Sequence, residues 1–259
     1  MTSASCGYDS ALLHNRVFAY YRAISLGELG SAFNPGDRLL ELGCGTGEEA
    51  VQLAKKGIRV LLTDSSESQV ESARRRIQRE GLESLLTARV WAIEELDALT
   101  RELGEGAFDG AFSSFGALNC APGIERLPKD LHTLIRPGGR FLCSVMNRTC
   151  AWELLSGLAS LRPGRAFRRI GAPAAAIEGV PDSQRRVRYF TPVEMEDMFR
   201  PMFQIEGLRD HPLLPPPYLD GVFRRLPGYL KWAARKDDGA LRGLGDHLFI
   251  RMKRRAILQ

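Results

Sequence analysis

Residues 39–50 read LLELGCGTGEEA: an apolar run, three glycines in five positions, then two glutamates. A dinucleotide fingerprint, G-x-G-x-x-G, counted from Gly43 would place its third glycine at position 48, where this chain has Glu48. Gly43, Gly45 and Gly47 alternate instead, and Glu48 and Glu49 fall in the first turn of the next helix. A pyrophosphate rests on such a first turn, drawn by backbone N–H groups and the positive end of the helix dipole. Two carboxylates there oppose a diphosphate, yet are harmless beside a ligand with a positive centre and no phosphate, such as a sulfonium. A phosphate-cradling P-loop is excluded as well, since no Gly-Lys-Ser/Thr follows.

Outward from the loop, short apolar runs alternate with helical patterns, the signature of βαβ units and a parallel sheet. RLLELGC (38–44), RVLLTD (59–64), TARVWAI (87–93) and FDGAFSSF (108–115) read as the first four strands. IRPGGRFLCSVMN (135–147) reads as a helix exit, a tight Pro-Gly-Gly turn and a fifth strand. EEAVQLAKKG buries Ala50, Leu53 and Ala54 and stops at Gly57, and SQVESARRRIQREG buries Val70, Ala73 and Ile77 and stops at Gly81. The arginines of the second helix read as a solvated outer face. After Asn147 the rhythm breaks. CAWELLSGLASLRP suggests an apolar helix, and the Arg- and Ala-rich stretch up to Arg188 has no clear pattern. TPVEMEDMFRPM predicts a helix with Thr191 as N-cap and Pro192 at its first position, while FQIEGL (203–208) and HLFIRMKR (247–254) predict two last strands around an insertion at 212–244.

Asp64 closes the second strand, 17 residues after Gly47, where a carboxylate can accept hydrogen bonds from both hydroxyls of an adenosine ribose; its plainer role is to cap the helix that begins in SSESQV. With the loop, Asp64 and FDGAFSSF…IRPGGRFLCSV at matching spacing, the chain resembles the class I S-adenosylmethionine-dependent methyltransferases over roughly residues 36–147 and 191–254. The resemblance implies a Rossmann-like α/β fold: a seven-stranded sheet of order 3-2-1-4-5-7-6, strand 7 antiparallel, helices on both faces, and insertions after strands 5 and 6. It implies S-adenosylmethionine as cofactor, with Glu41 and the Gly43/Gly45/Gly47 loop facing its methionine part, Asp64 and the adjoining Ser65 its ribose, Trp91-Ala92-Ile93 its adenine, and Ser113 and Ser114 its amino group. Many relatives carry Asp or Asn where Ala92 stands, so the adenine contacts fall here to the backbone near Ile93, to Trp91 stacking or to Glu94. The N-terminal HNRVFAYYRAIS, with Tyr20 and Tyr21, resembles the lid helix of the family; otherwise it is a helix packed for stability alone. One methyltransferase domain is expected, with residues 1–35 as lid, 36–147 as cofactor-binding core, and 148–190 and 212–244 as substrate-side insertions.

Ligands of open α/β sheets bind beyond the carboxyl ends of the parallel strands. That topology brings Phe115 to Asn119, Asn147-Arg148, His211 and Asp246-His247 towards one rim, and makes Tyr21, Phe115, Asn119, Asn147, Arg148 and Arg188 candidates for acceptor binding. Methyl transfer from a sulfonium is an in-line displacement in which alignment and exclusion of water supply much of the rate, so a base is optional. For a phenolic or acidic hydroxyl acceptor, His211 or His247 is the candidate base. His132 falls inside a helix and is not one. The four histidines are scattered with no ligand spacing, so no metal is expected.

Charge is uneven: residues 36–146 carry 14 Lys+Arg against 17 Asp+Glu, and residues 147–259 carry 20 against 12. The basic half also holds Trp152, Leu155, Phe167, Tyr189, Phe190, Tyr218, Phe223, Tyr229 and Trp232. Arginine with aromatic residues suits a small acceptor with an apolar or aromatic body and an anionic or electron-rich group, although solvated surface charge is the plainer account. Two alternatives stand beside this reading. One is an RNA methyltransferase that uses the basic half as a phosphate track, without any recognisable RNA-binding module. The other is a non-catalytic S-adenosylmethionine-binding protein, supported by Ala92. Five cysteines, an odd number without C-x-x-C spacing, fit free thiols. With no signal-peptide pattern and no apolar run of membrane-spanning length, a cytoplasmic location is expected.

Overall fold

The computed structural model describes residues 15–171, 187–223, 225–236 and 242–256. Most of the Arg- and Ala-rich stretch (172–186), the start of the expected lid (1–14, with Cys6) and residues 237–241 lie outside the described residues. Strands β1 (Arg38–Leu42), β2 (Arg59–Asp64), β3 (Leu86–Val90), β4 (Phe108–Ser113), β5 (Ile135–Met146), β6 (Phe203–Asp210) and β7 (His247–Arg254) form one mixed sheet in the order β3-β2-β1-β4-β5-β7-β6. This is the order that the resemblance implied. Two compact units divide the chain: a glycine-loop unit of residues 26–144, 196–207 and 250–259, and an insertion unit of residues 1–25, 145–195 and 208–249.

In the glycine-loop unit β1 sits between β2 and β4, with Leu40 level with Leu61 and Ala111 in parallel register. Leu39, Leu40 and Leu42 are fully buried, because a central parallel strand is covered on both faces and so needs a continuous apolar run. Helix α2 (Glu48–Ala54) buries Ala50, Val51, Leu53 and Ala54, and helix α3 (Glu67–Glu80) buries Val70, Ala73 and Ile77 before Gly81 ends it at φ 66°. They share one core with Leu39, Val60, Leu62, Phe112 and Leu142. Helices α4 (Leu96–Leu103), α5 (Ala117–Cys120) and α6 (Leu127–Leu134) complete the crossovers.

Several boundaries differ from the sequence reading: β1 ends at Leu42 and not at Cys44, β6 runs on to Asp210, and three others have a visible local cause. β3 ends at Val90, because Ile93–Glu95 turn in a 3₁₀ helix that the Trp91 indole N–H closes by donating to the Glu95 carbonyl at 3.1 Å. β4 stops at Ser113, since Phe115 adopts φ 55° and cannot stay extended. Pro137-Gly138-Gly139 is no turn ahead of β5 but lies within it. Ile135 already pairs with Phe108, and the extra residues are taken up as a bulge before Arg140 pairs with Gly110.

The insertion unit holds helices α7 (Ala151–Ala159), α8 (Pro163–Ala166), α9 (Arg168–Gly171), α11 (Asp220–Phe223) and α12 (Pro227–Arg235). Helices α1 (Arg16–Ala32) and α10 (Pro192–Phe199) run across the boundary between the units. At α10 the Glu194 amide donates to the Thr191 hydroxyl at 3.2 Å while the Thr191 amide donates to the Glu194 carboxylate at 2.8 Å, a reciprocal capping box. Pro227 opens α12, where its missing N–H costs nothing.

Candidate active site

In the glycine-loop unit Gly43, Gly45 and Gly47 have φ of 68°, 51° and 74°, a left-handed path that only glycine follows without strain. A Cβ on Gly43 would stand 2.2 Å from the Cβ of Ala117, whereas one on Gly45 would meet nothing within 4 Å. The backbone of Gly45 therefore borders open space. Asp64 ties the loop down: its Oδ2 accepts the Gly45 amide at 3.0 Å and its Oδ1 the Ser66 amide at 2.9 Å. The N-cap of α3 is Ser66, so capping is not what Asp64 does. Ser65 beside it is exposed.

Glu41, at the end of β1, is 2% exposed, and its Oε2 has no hydrogen-bond partner among the described residues. Burial, then the charges of Glu49 and Asp64, push its carboxyl well above the usual range. Burial and Glu41 likewise keep the Cys44 thiol protonated. Glu48, the other carboxylate of the first turn, pairs with Arg76.

Trp91 is half-buried under the Arg89 guanidinium, 4.9 Å from the ring centroid, and its amide donates to the Asp64 carbonyl at 2.9 Å. Ala92 precedes the 3₁₀ turn. Beside Ile93 and Glu94 opens a cleft of about 240 Å³, lined also by Pro122, Gly123, Arg126, Leu127 and Asp130. The Ser113 hydroxyl is buried and donates to the Leu42 carbonyl at 2.9 Å, pinning β4 to β1. Ser114 and Phe115 are half-buried, and Asn119 is 1% exposed. Phe115 holds its left-handed conformation because its amide donates to the Ser144 hydroxyl at 2.8 Å. The sequence reading missed Ser144, and a serine inside an apolar strand was the signal.

In the insertion unit the predicted acceptor residues are held by the protein itself. Asn147 is fully buried and its amide donates to the carbonyls of Thr149, Gly243 and Gly245 at 2.7, 2.8 and 2.9 Å. Arg148 donates to the Tyr189 carbonyl at 3.0 Å and to Glu194 at 2.7 Å, and Arg188 lies over the Phe190 ring. Tyr21 is buried and donates to the Leu214 carbonyl at 3.1 Å; Tyr20, next to it on α1, is half-buried. Burial, reinforced by Asp246, raises the Tyr21 hydroxyl well above its ordinary value, so it stays protonated.

Both candidate histidines are buried, and each follows an aspartate. Asp246 Oδ2 lies 2.9 Å from His247 Nδ1, and the His247 ring lies 5.0 Å from that of Tyr21. The other Asp246 oxygen accepts from Arg169 at 2.6 Å, and Arg169 also pairs with Glu153. Burial alone would raise Asp246, but Arg169 and then His247 hold it far below the usual carboxylate range. Asp210 accepts the amides of Gly243 and Gly245 at 2.9 and 2.7 Å, while the His211 ring meets Phe249 edge-on at 5.9 Å. The sequence reading did not single out Glu153, Arg169 or Asp210. The repeated Asp-His pairs at 210–211 and 246–247 were the available signal. Among the described residues no group of His, Cys, Asp and Glu could hold a metal ion, and Cys44, Cys120, Cys143 and Cys150 form no disulfide.

Residues 39–139 match the family model of a methyltransferase domain. A demethylmenaquinone methyltransferase from Symbiobacterium thermophilum is 32% identical over 43% of this chain and 43% of its own length. An S-adenosyl-L-methionine-dependent Diels-Alderase, iccD, from Talaromyces variabilis is 34% identical over 45% of this chain and 39% of its own. The chain thus spans less than half the length of these curated relatives. The crystal structure of an S-adenosylmethionine-dependent methyltransferase from Mesorhizobium loti superposes with a TM-score of 0.59 at 20% identity, covering 85% of this chain and 92% of that one. The sheet order is that of the class I S-adenosylmethionine-dependent methyltransferase fold, and within it residues 39–139 match a methyltransferase domain.

Proposed function

We propose that this protein transfers a methyl group from S-adenosylmethionine to a small-molecule acceptor. The observation that carries the reading is the buried Glu41 carboxylate, with its unpartnered Oε2, at the mouth of a left-handed glycine loop tied to Asp64. An orphaned acceptor in a buried site is costly unless a ligand donor fills it. The ammonium of S-adenosylmethionine has the right charge, and the open space over Gly45 admits a ligand beside the backbone. Glu41 would hold the ammonium, Asp64 with Ser65 the ribose, and Trp91, Ala92 and Ile93 the adenine. When bound, the sulfonium supplies the methyl group. The residues of the chain align it and exclude water, which is where the rate of an in-line displacement arises.

We assign the lid to residues 1–35 and acceptor recognition to residues 148–190 and 212–244. The contacting rings of Trp152, Phe223 and Tyr229 support an acceptor with an aromatic or apolar body. A relative named above is a demethylmenaquinone methyltransferase, and quinols belong among the acceptors to be tried. For a hydroxyl acceptor His247, oriented by Asp246, is the proposed base, with His211 second. Free, buried thiols support a reducing, cytoplasmic location.

Isothermal calorimetry tests the cofactor: the protein should bind S-adenosylmethionine and S-adenosylhomocysteine and not NAD. NAD binding without S-adenosylmethionine binding would overturn the reading. The Diels-Alderase relative favours a second reading, use of the cofactor without methyl transfer. Label retained on S-adenosylmethionine across a screen of quinol, phenol and carboxylate acceptors would favour it. Transfer to RNA with steep salt dependence would favour an RNA acceptor.

A further inference from the structure

We propose that the surface built from residues 151–171 and 217–236 docks on an anionic lipid bilayer. These segments meet through aromatic rings: Trp152 of α7 packs edge-on against Phe223 at 5.1 Å and against Tyr229 at 6.3 Å, and Tyr229 continues to Trp232 at 5.7 Å. The same two segments turn large apolar side chains to solvent. Leu155 is 62% exposed, Leu161 is 90% exposed, and Trp232 is 47% exposed, with Leu158, Phe167 and Leu226 each about half exposed. Leu161 is turned out at a left-handed φ of 53°, a strained choice for a residue with a Cβ. Single exposed leucines are ordinary, but six large apolar side chains about half exposed or more on two segments joined by their aromatic rings point to a docking surface.

Charge decides the occupant. The two segments contain only two carboxylates. Glu153 is buried against Arg168 and Arg169, and Asp220 accepts the amides of Arg16 and Val17. Arg162, Arg225, Lys231, Arg235 and Lys236 are exposed. Apolar side chains and a tryptophan among cations, with no fully exposed carboxylate among the described residues of the two segments, fit the boundary between headgroups and acyl chains of an anionic membrane. Contact would be peripheral, since among the described residues no helix is long and apolar enough to cross a bilayer. The surface lies within the segments assigned above to acceptor recognition, but vesicle binding is read without any methyl transfer, so its failure and the failure of that assignment are distinguishable.

Cosedimentation of the full chain with vesicles tests it. The protein should pellet with an equal mixture of phosphatidylcholine and phosphatidylglycerol, and stay in solution with phosphatidylcholine alone. Lys231→Gln and Arg235→Gln should each weaken binding about fivefold, and Leu158→Glu combined with Trp232→Glu should abolish it. An unchanged melting temperature and unchanged calorimetry with S-adenosylhomocysteine would show that the double variant is folded; if it is not, the two Gln variants carry the test. A parent protein that ignores anionic vesicles, or folded variants that pellet like the parent, would overturn the proposal. So would a concentration-dependent dimer, lost in the variants, without vesicle binding, which would make the surface a contact between two copies.

Discussion

The two units solve opposite electrostatic problems. In the glycine-loop unit the buried carboxylate, Glu41, lacks a partner for one oxygen and is pushed towards its neutral form. In the insertion unit the buried carboxylate, Asp246, is gripped by Arg169 and His247 and is held ionised. A site that must take up a cationic ligand leaves its counter-charge unpaired and accepts the desolvation cost. A scaffold that must stay closed satisfies its own charges. The difference teaches where each unit is vulnerable: the first in binding, the second in stability.

The largest effect tests the second half of that contrast. Arg169→Met would leave buried Asp246 with only His247 beside it and buried Glu153 with only Arg168, and should cost about 3–5 kcal/mol in urea unfolding. A loss under about 1 kcal/mol would show the cluster to be solvated surface charge. Asp64→Ala should leave folding nearly intact and weaken S-adenosylmethionine binding by roughly 2–4 kcal/mol, since two ribose hydroxyls lose a charged acceptor. Normal affinity in that variant would reduce Asp64 to its two backbone bonds. Next come two glycines of one loop. Gly43→Ala should destabilise the fold by about 2–3 kcal/mol, combining a left-handed alanine with displacement of Ala117. Gly45→Ala should carry only the backbone share, about 1–2 kcal/mol, yet weaken cofactor binding, because its Cβ enters the open space.

Acid should separate the units further. The Asp246 carboxyl is depressed in the folded state, so its contribution is complete above its unfolded value, about 3.9, and is lost as pH falls through its folded value. Glu41 is raised, so at neutral pH its ionisation costs stability, which returns as pH falls through its folded value. Glu41→Gln should therefore stabilise the protein at neutral pH while weakening cofactor binding. The parent's affinity should rise with pH in calorimetry as Glu41 ionises, and the variant should lose that rise. Equal stability of parent and variant from pH 5 to 8 would break this half of the comparison. The smallest effect is local: Thr191→Ala removes one side of the capping box at α10 and should cost about 1 kcal/mol.

The sequence by itself determined what neighbours along the chain decide. β2 and β7 appear at their predicted limits, Gly81 ends its helix in the left-handed conformation, Thr191 caps α10, and the alternating glycines excluded a diphosphate and pointed to the family. Each depends on strand period, helix period or a backbone angle available to one residue type, physics that acts within a few residues. The tertiary structure alone decided the buried charges. Arg169 reaches Asp246 across 77 positions, and Asn147, expected at an acceptor, holds Gly243 and Gly245 across nearly 100. Ser113 was expected to face the ligand, and only its approach to Leu42, 71 residues away, shows its hydroxyl turned inward. No periodicity marks such partners, because whether a polar group meets ligand, water or another side chain is set by what the fold brings beside it.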